Sequence, residues 1–197
     1  MESDINTLIG GLIGFLSSLG IQIATRLMNR WGKLNFYYRI NSQFLPYWGF
    51  SKIEGKISFA LPLELEIRNS SNTTRVVRDI SLALWKNGSL VRRMHQTEGV
   101  INEHKHNGEI QYRDSFALGD ENSSYSCVVL PKSIKKENYL FTSFQNASNL
   151  TEASFDEIHI SYYDEHDKLH ETSLMFFEGN WAERQLQFQE TWSKAEL

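Results

Sequence analysis

The feature that most limits what this chain can become is strict alternation of apolar and polar residues. Residues 57–68 read ISFALPLELEIR, in which Leu61, Leu63, Leu65 and Ile67 alternate with Pro62, Glu64, Glu66 and Arg68. Successive side chains of a strand point to opposite faces, so a period of two makes one apolar face and one wet face. Residues 69–74 (NSSNTT) read as a polar turn. Residues 76–85 then repeat the pattern, with Ile80, Leu82 and Leu84 against Asp79, Ser81 and Ala83.

Asn87-Gly88 follows at once. Asn-Gly between alternating runs signals a hairpin, because a type I′ turn needs positive φ at both central residues. The returning strand is expected from Ser89. After a polar stretch around residues 103–108, residues 110–118 and 125–130 read as strands, with Gly119-Asp120-Glu121-Asn122 as the turn between them. Residues 157–163 and 169–177 flank Asp164-Glu165-His166-Asp167, a second expected hairpin. Residues 180–197 have helical composition and predict a short C-terminal helix.

Short strands at this spacing predict an all-β fold, an antiparallel Ig-like β-sandwich, with an up-and-down β-barrel as the alternative. The run LELEIRNSSNTTRVVRDISLALWKNG (residues 63–88) resembles the Ig-like domains of many bacterial surface and membrane-anchored proteins: strand, Asn-rich turn, strand, Asn-Gly. The resemblance covers residues 57–130. It implies architecture and no active site. Antibody-type cysteine pairing is absent, since Cys127 is the one cysteine.

Ahead of the strands lie residues 7–25, TLIGGLIGFLSSLGIQIAT, 19 residues without a charge. As a helix they rise about 28 Å, close to the roughly 30 Å hydrocarbon core of a bilayer. A single transmembrane helix is expected, although Gly10, Gly11, Gly14, Gly20, Ser17, Ser18 and Gln22 dilute its Leu and Ile. An interfacial helix and a core helix are the alternatives. A cleaved signal is disfavoured, because Glu2 and Asp4 stand where such signals carry positive charge. The chain thus divides into a membrane-anchor helix with a basic collar (residues 1–33) and a β-sandwich domain with a C-terminal helical tail (residues 34–197).

Arg26, Arg30, Lys33 and Arg39 all follow the apolar run, and no Lys or Arg precedes it. Retention of basic residues on the cytoplasmic side predicts an outside N-terminus and a cytoplasmic domain. Arg26, Arg30, Trp31 and Lys33 are the expected anchors at the membrane interface. Phe36, Tyr37 and Tyr38 suit the headgroup layer or the start of the first strand. Gly10, Gly14, Ser18 and Gln22 recur every four residues and share one helix face, a pattern that lets two helices approach closely in lipid and favours a homo-oligomer.

Residues 40–197 carry 16 Lys and Arg against 22 Asp and Glu, which opposes nucleic-acid binding. Six Asn-x-Ser/Thr sequons, at Asn69, Asn72, Asn87, Asn122, Asn146 and Asn149, read as turn residues on a cytoplasmic domain.

His104 and His106 with Glu103 or Glu109, and His166 and His170 with Asp164 and Asp167, lack the spacing of a zinc site, so no metal or other cofactor is expected. Cys127 reads as a buried, inert residue. No nucleophile elbow, phosphate loop or dinucleotide fingerprint occurs, which weighs against an enzyme. The expected partners are the lipid bilayer, through residues 7–25, and another protein. A scaffold or interaction module on the cytoplasmic face is the leading reading. An effector or sensor that oligomerises through its Gly/Ser-faced helix is the alternative, and an enzyme the third.

Overall fold

The structure is a computed structural model, and it describes residues 2–30, 32–40, 48–53, 56–119, 124–145, 154–177 and 191–195. Helix α1 (Glu2–Arg30) comes first, followed among the described residues by strands alone. These are β1 (Leu34–Ile40), β2 (Gly49–Ile53), β3 (Lys56–Asn69), β4 (Arg75–Lys86), β5 (Ser89–Arg93), β6 (His95–Gln96) and β7 (Gly99–His106). The rest are β8 (Glu109–Ala117), β9 (Cys127–Val129), β10 (Ile134–Gln145), β11 (Glu157–Tyr163), β12 (Leu169–Phe176) and β13 (Ser193–Ala195).

All strand pairs are antiparallel. The first sheet runs β13-β1-β3-β10-β6, with β2 also on β3; the second runs β12-β11-β4-β5, with β9 also on β4. Among the described residues both sheets are open and neither closes on itself, so the barrel alternative is set aside. The alternation read from residues 57–68 is the backbone of the first sheet. Phe59, Leu61, Leu63, Leu65 and Ile67 of β3 are each at most 1% exposed. The face expected to be wet is so only at Arg68, since Glu64 is half-buried, Pro62 is buried, and Glu66 is buried and paired with Arg68 and Lys136. Pro62, which has no amide donor, falls where that edge of β3 passes from β1 to β2.

One core joins the two sheets. Ile80, Leu82 and Leu84 of β4 and Ile158 and Ile160 of β11 pack with the β3 row. The Phe36 ring lies 4.9 Å from that of Tyr162, and the Tyr38 hydroxyl donates to the Leu174 carbonyl at 2.8 Å. Phe36 and Tyr38 are therefore core residues of β1 and not headgroup anchors. The chain crosses between sheets at buried Met94, passing from β5 on β4 to β6 on β10.

Asn69 ties the turn after β3. Its side-chain amide donates to the carbonyls of Thr73, Val129 and Leu130, and its oxygen accepts from the amide and hydroxyl of Ser71. Asn87 and Gly88 have φ of 49° and 71°, as the hairpin expectation requires.

Three expectations are corrected. Among the described residues no helix is long and apolar enough to cross a membrane, so a transmembrane α1 is not supported; its Gly, Ser and Gln residues dilute the apolar run. The C-terminal stretch places a strand, β13, where a helix was expected. Ser193–Ala195 pair with Phe36–Tyr38, Ala195 is buried, and Arg39 and Lys136 each lie 5.0 Å over the Trp192 ring. An open edge of β1 outcompetes local helix propensity there. The rest of the expected C-terminal helix, residues 180–190 and 196–197, lies outside the described residues. Residues 103–108, read as a polar break, form the end of β7 and its turn.

Candidate interaction surfaces

Every described side chain of α1 is exposed. Ile13, Phe15, Leu16, Ile21 and Ile23 are each more than half exposed, and a Cβ added at Gly11, Gly14 or Gly20 would meet nothing within 4 Å. Gly14, Ser18 and Gln22 line one open face; Gly10 lies on the same helix, but its surroundings are outside the described residues. A helix with four glycines forgoes roughly 4 kcal/mol relative to alanine in a free peptide. Helices of this kind depend on something that covers their apolar faces.

The expected interface anchors are only partly placed. Arg26 is an exposed residue of α1. Arg30 ends the helix, its side chain outside the described residues, and Trp31 lies outside them altogether. Lys33 is exposed and its backbone is fixed: its amide donates to Ser70 Oγ at 2.8 Å and its carbonyl accepts from the Ser70 amide at 3.1 Å. Gly32 makes this approach possible. At φ 121° a Cβ there would sit 2.5 Å from Ser71 backbone atoms.

The second surface is the β7–β8 hairpin. It forms a two-stranded sheet of its own, and among the described residues no third strand pairs with either outer edge. Its turn is a second Asn-Gly, Asn107-Gly108, with φ of 53° and 86°. At its base Leu118 is buried against Leu140, with Ala60, Val100 and Phe116 beside them. Farther out, Ile101, Ile110 and Tyr112 are 66%, 43% and 56% exposed. Cross-strand support comes from His104 stacked on Tyr112 at 4.1 Å, the same His104 2.8 Å from Asp114, and the Arg113–Glu103 ion pair. His104 is therefore engaged by an aromatic ring and one carboxylate.

The third candidate is a shallow cavity of about 240 Å³ lined by Lys33, Leu34, Arg75, Tyr162, Asp164, Glu165 and His170. His170 Nε2 lies 2.8 Å from Asp164 Oδ2, its ring stacks 5.0 Å from Tyr162, and Arg75 pairs with Glu165. Burial opposes ionisation of Asp164. The His170 bond and the amides of Lys168 and His166 outweigh it and hold the carboxyl down to about 2. Burial first, then the charges of Asp164 and Glu165, push the Tyr162 hydroxyl up to about 12. Asp164 thus organises its own turn, accepting from the His166 and Lys168 amides. Among the described residues no group of three or more His, Cys, Asp or Glu could hold a metal ion.

Two features escaped the sequence. The strand expected over residues 110–118 forms β8, but its partner β7 escaped: Asn107-Gly108 signals the turn, while the charged residues of β7 hid the alternation. His159, stacked on Trp85 and within 2.8 and 3.3 Å of Glu157 and Glu171, comes together only across the β11–β12 pair and β4. Cys127 is buried as expected. No family model, no curated protein and no solved structure matches the chain.

Proposed function

We propose that this chain is an interaction module held at a membrane surface: α1 lies along the interface with its exposed apolar residues towards lipid, the two sheets form an Ig-like β-sandwich on the cytoplasmic side, and the β7–β8 hairpin receives a partner protein by strand addition. The observation that carries this reading is the hairpin, an antiparallel ribbon whose two outer edges have no strand paired to them among the described residues, with exposed Ile101, Ile110 and Tyr112. Such an edge recruits a strand through main-chain hydrogen bonds and grips alternate side chains. The exposed apolar residues of α1 support the lipid half of the reading, and the basic residues that follow it support the cytoplasmic side.

Photo-crosslinkers placed at Ile101 and at Tyr112 test it in intact cells, with exposed Phe176 as a control position. A discrete protein adduct at both hairpin positions, lost when Glu103→Pro removes an outward-facing amide donor, is the expected result. Equal labelling at Phe176, or adducts that ignore Glu103→Pro, overturns the strand-addition reading. An adduct of twice the chain's mass identifies the added strand as that of a second copy.

A second reading, oligomerisation through the small-residue face of α1, is favoured by the open space at Gly14 and the exposure of Ser18 and Gln22. Gly10→Leu with Gly14→Leu then reduces crosslinked oligomers; unchanged oligomers refute it.

A further inference from the structure

Three acid-free, basic stretches of this acidic chain meet in space. Residues 26–39, 68–78 and 124–136 hold ten of the 20 Lys and Arg and none of the 24 Asp and Glu. They lie far apart in sequence, and the fold brings parts of all three to one corner of the two sheets. Leu34 pairs with Asn69, Ile134 with Arg68, and Val129 with Arg75. The Ser70 amide donates to the Lys33 carbonyl, the Lys132 amide to Ser71, and the Asn69 amide to Ser133, at 3.1, 3.2 and 3.0 Å. This is also where the chain arrives from α1.

The corner is apolar as well as basic. Leu130 and Ile134, on either side of Lys132, are 61% and 56% exposed, and Val128 is exposed on the same outward side of β9 as Leu130. Among the described residues no ion pair engages Lys33 or Lys132; the Lys132 ammonium donates to the Ser70 carbonyl, which leaves its charge uncompensated. Arg68 and Lys136 share one carboxylate, Glu66. The acids nearest this end are engaged: Asp164 with His170, Glu165 with Arg75, and Asp167 with Arg78.

We infer that the loop between β9 and β10, with Lys33 and Lys132 beside Leu130 and Ile134, is a docking face for an anionic lipid leaflet. The inference rests on the reading of α1 as the membrane anchor and gives the domain a defined seat beside it. Aliphatic tips enter the boundary between headgroups and acyl chains while ammonium groups meet lipid phosphate and carboxylate. The remainder of the domain is acidic and repelled by the same leaflet. This corner adjoins the end of α1, and its docking sets the orientation in which the β7–β8 hairpin is presented.

The test uses the full chain on vesicles of phosphatidylcholine with or without phosphatidylserine. An environment-sensitive fluorophore is attached at Leu130→Cys, with Cys127→Ser to keep the label unique, and a control label sits at Tyr112→Cys. Only the residue-130 probe is expected to shift to the blue and to be quenched from within the lipid, and only with phosphatidylserine present. Lys33→Glu with Lys132→Glu weakens that response about tenfold or more, from about fivefold per basic residue near a charged surface. The unmodified chain provides a label-free reading: slowed hydrogen exchange at residues 130–134 on anionic vesicles alone.

A residue-130 probe that stays in water on vesicle-bound protein, or responds equally on neutral vesicles, overturns the docking face and leaves α1 as the anchor. Binding to RNA that displaces the chain from vesicles also overturns it. Failure to bind any vesicle overturns the anchor reading itself.

Discussion

Strands β3 and β7 are both paired antiparallel and lie close along the chain, yet they live under different energetics. β3 has strands on both edges and a covering sheet over one face, and five of its side chains are essentially sealed from water. At about 1.5–3 kcal/mol for each buried side chain, that row contributes on the order of 10 kcal/mol before chain entropy is counted. Among the described residues β7 has a single partner, and beyond Val100 at its base its described side chains are exposed. Its stacked and charged cross-strand pairs are each worth about 0.2–1 kcal/mol, and a lone hairpin is marginal at best in water. Strand geometry alone confers little stability; enclosure does, and the ribbon that lacks enclosure keeps its edges available to another chain.

Substitutions that swap a residue's environment should separate the two regions most sharply. Leu63→Ala is expected to lower unfolding free energy by about 3–4 kcal/mol in urea titrations. Ile101→Ala should change it by less than about 0.5 kcal/mol. A large loss at Ile101 would mean that the hairpin is covered. Amide exchange should show the same divide without mutation, with β7 and β8 exchanging about a hundredfold faster than β3 and β10. Equal protection would place the hairpin inside the cooperative unit.

The polar hub at Asn69 is expected to cost somewhat less than the core. Asn69→Ala removes the donor to the Thr73, Val129 and Leu130 carbonyls and the acceptor of the Ser71 amide. Ser133 still donates to the Leu130 carbonyl and the Ser71 hydroxyl still reaches Thr73, so the expected loss is about 2 kcal/mol by thermal unfolding. A neutral result would show that water replaces it.

The mildest contrast is in acid. The Asp164 carboxyl is held at about 2, below its ordinary value near 4. A depressed acid stabilises the fold fully above about pH 4, and this contribution is lost as pH falls towards 2. NMR titration of the carboxyl in the His170→Asn variant should move its midpoint upwards; an unmoved midpoint would assign the effect to the turn amides alone.

Much of the sheet content was legible because burial on one face writes a period of two into the chain, as at Leu61–Ile67 and Ile80–Leu84. Legibility failed where that cause is missing or overridden. β7 is exposed on both faces, so nothing selected alternation in it, and its polar residues looked like a break. β13 has a helical composition but fills the open edge of β1, a vacancy that no local window records. Asp164 with His170 was expected as a loose loop cluster and proves to be a turn-organising pair. The lining of its cavity also draws on Lys33 and Arg75, so that positions as far apart as residues 33 and 170 meet at one end.

By itself the sequence determined the local alphabet: an uncharged stretch able to form a helix, apolar rows able to form half-buried strands, and Asn-Gly pairs whose backbone accepts positive φ. Those properties depend on neighbours a few residues away. Tertiary structure decided which rows face each other, that the sheets stay open, that one ribbon projects uncovered, and that three acid-free stretches meet beside the start of β1. Such outcomes depend on strand order and register, set by the competition of all faces for one core, and no short window of residues contains that competition.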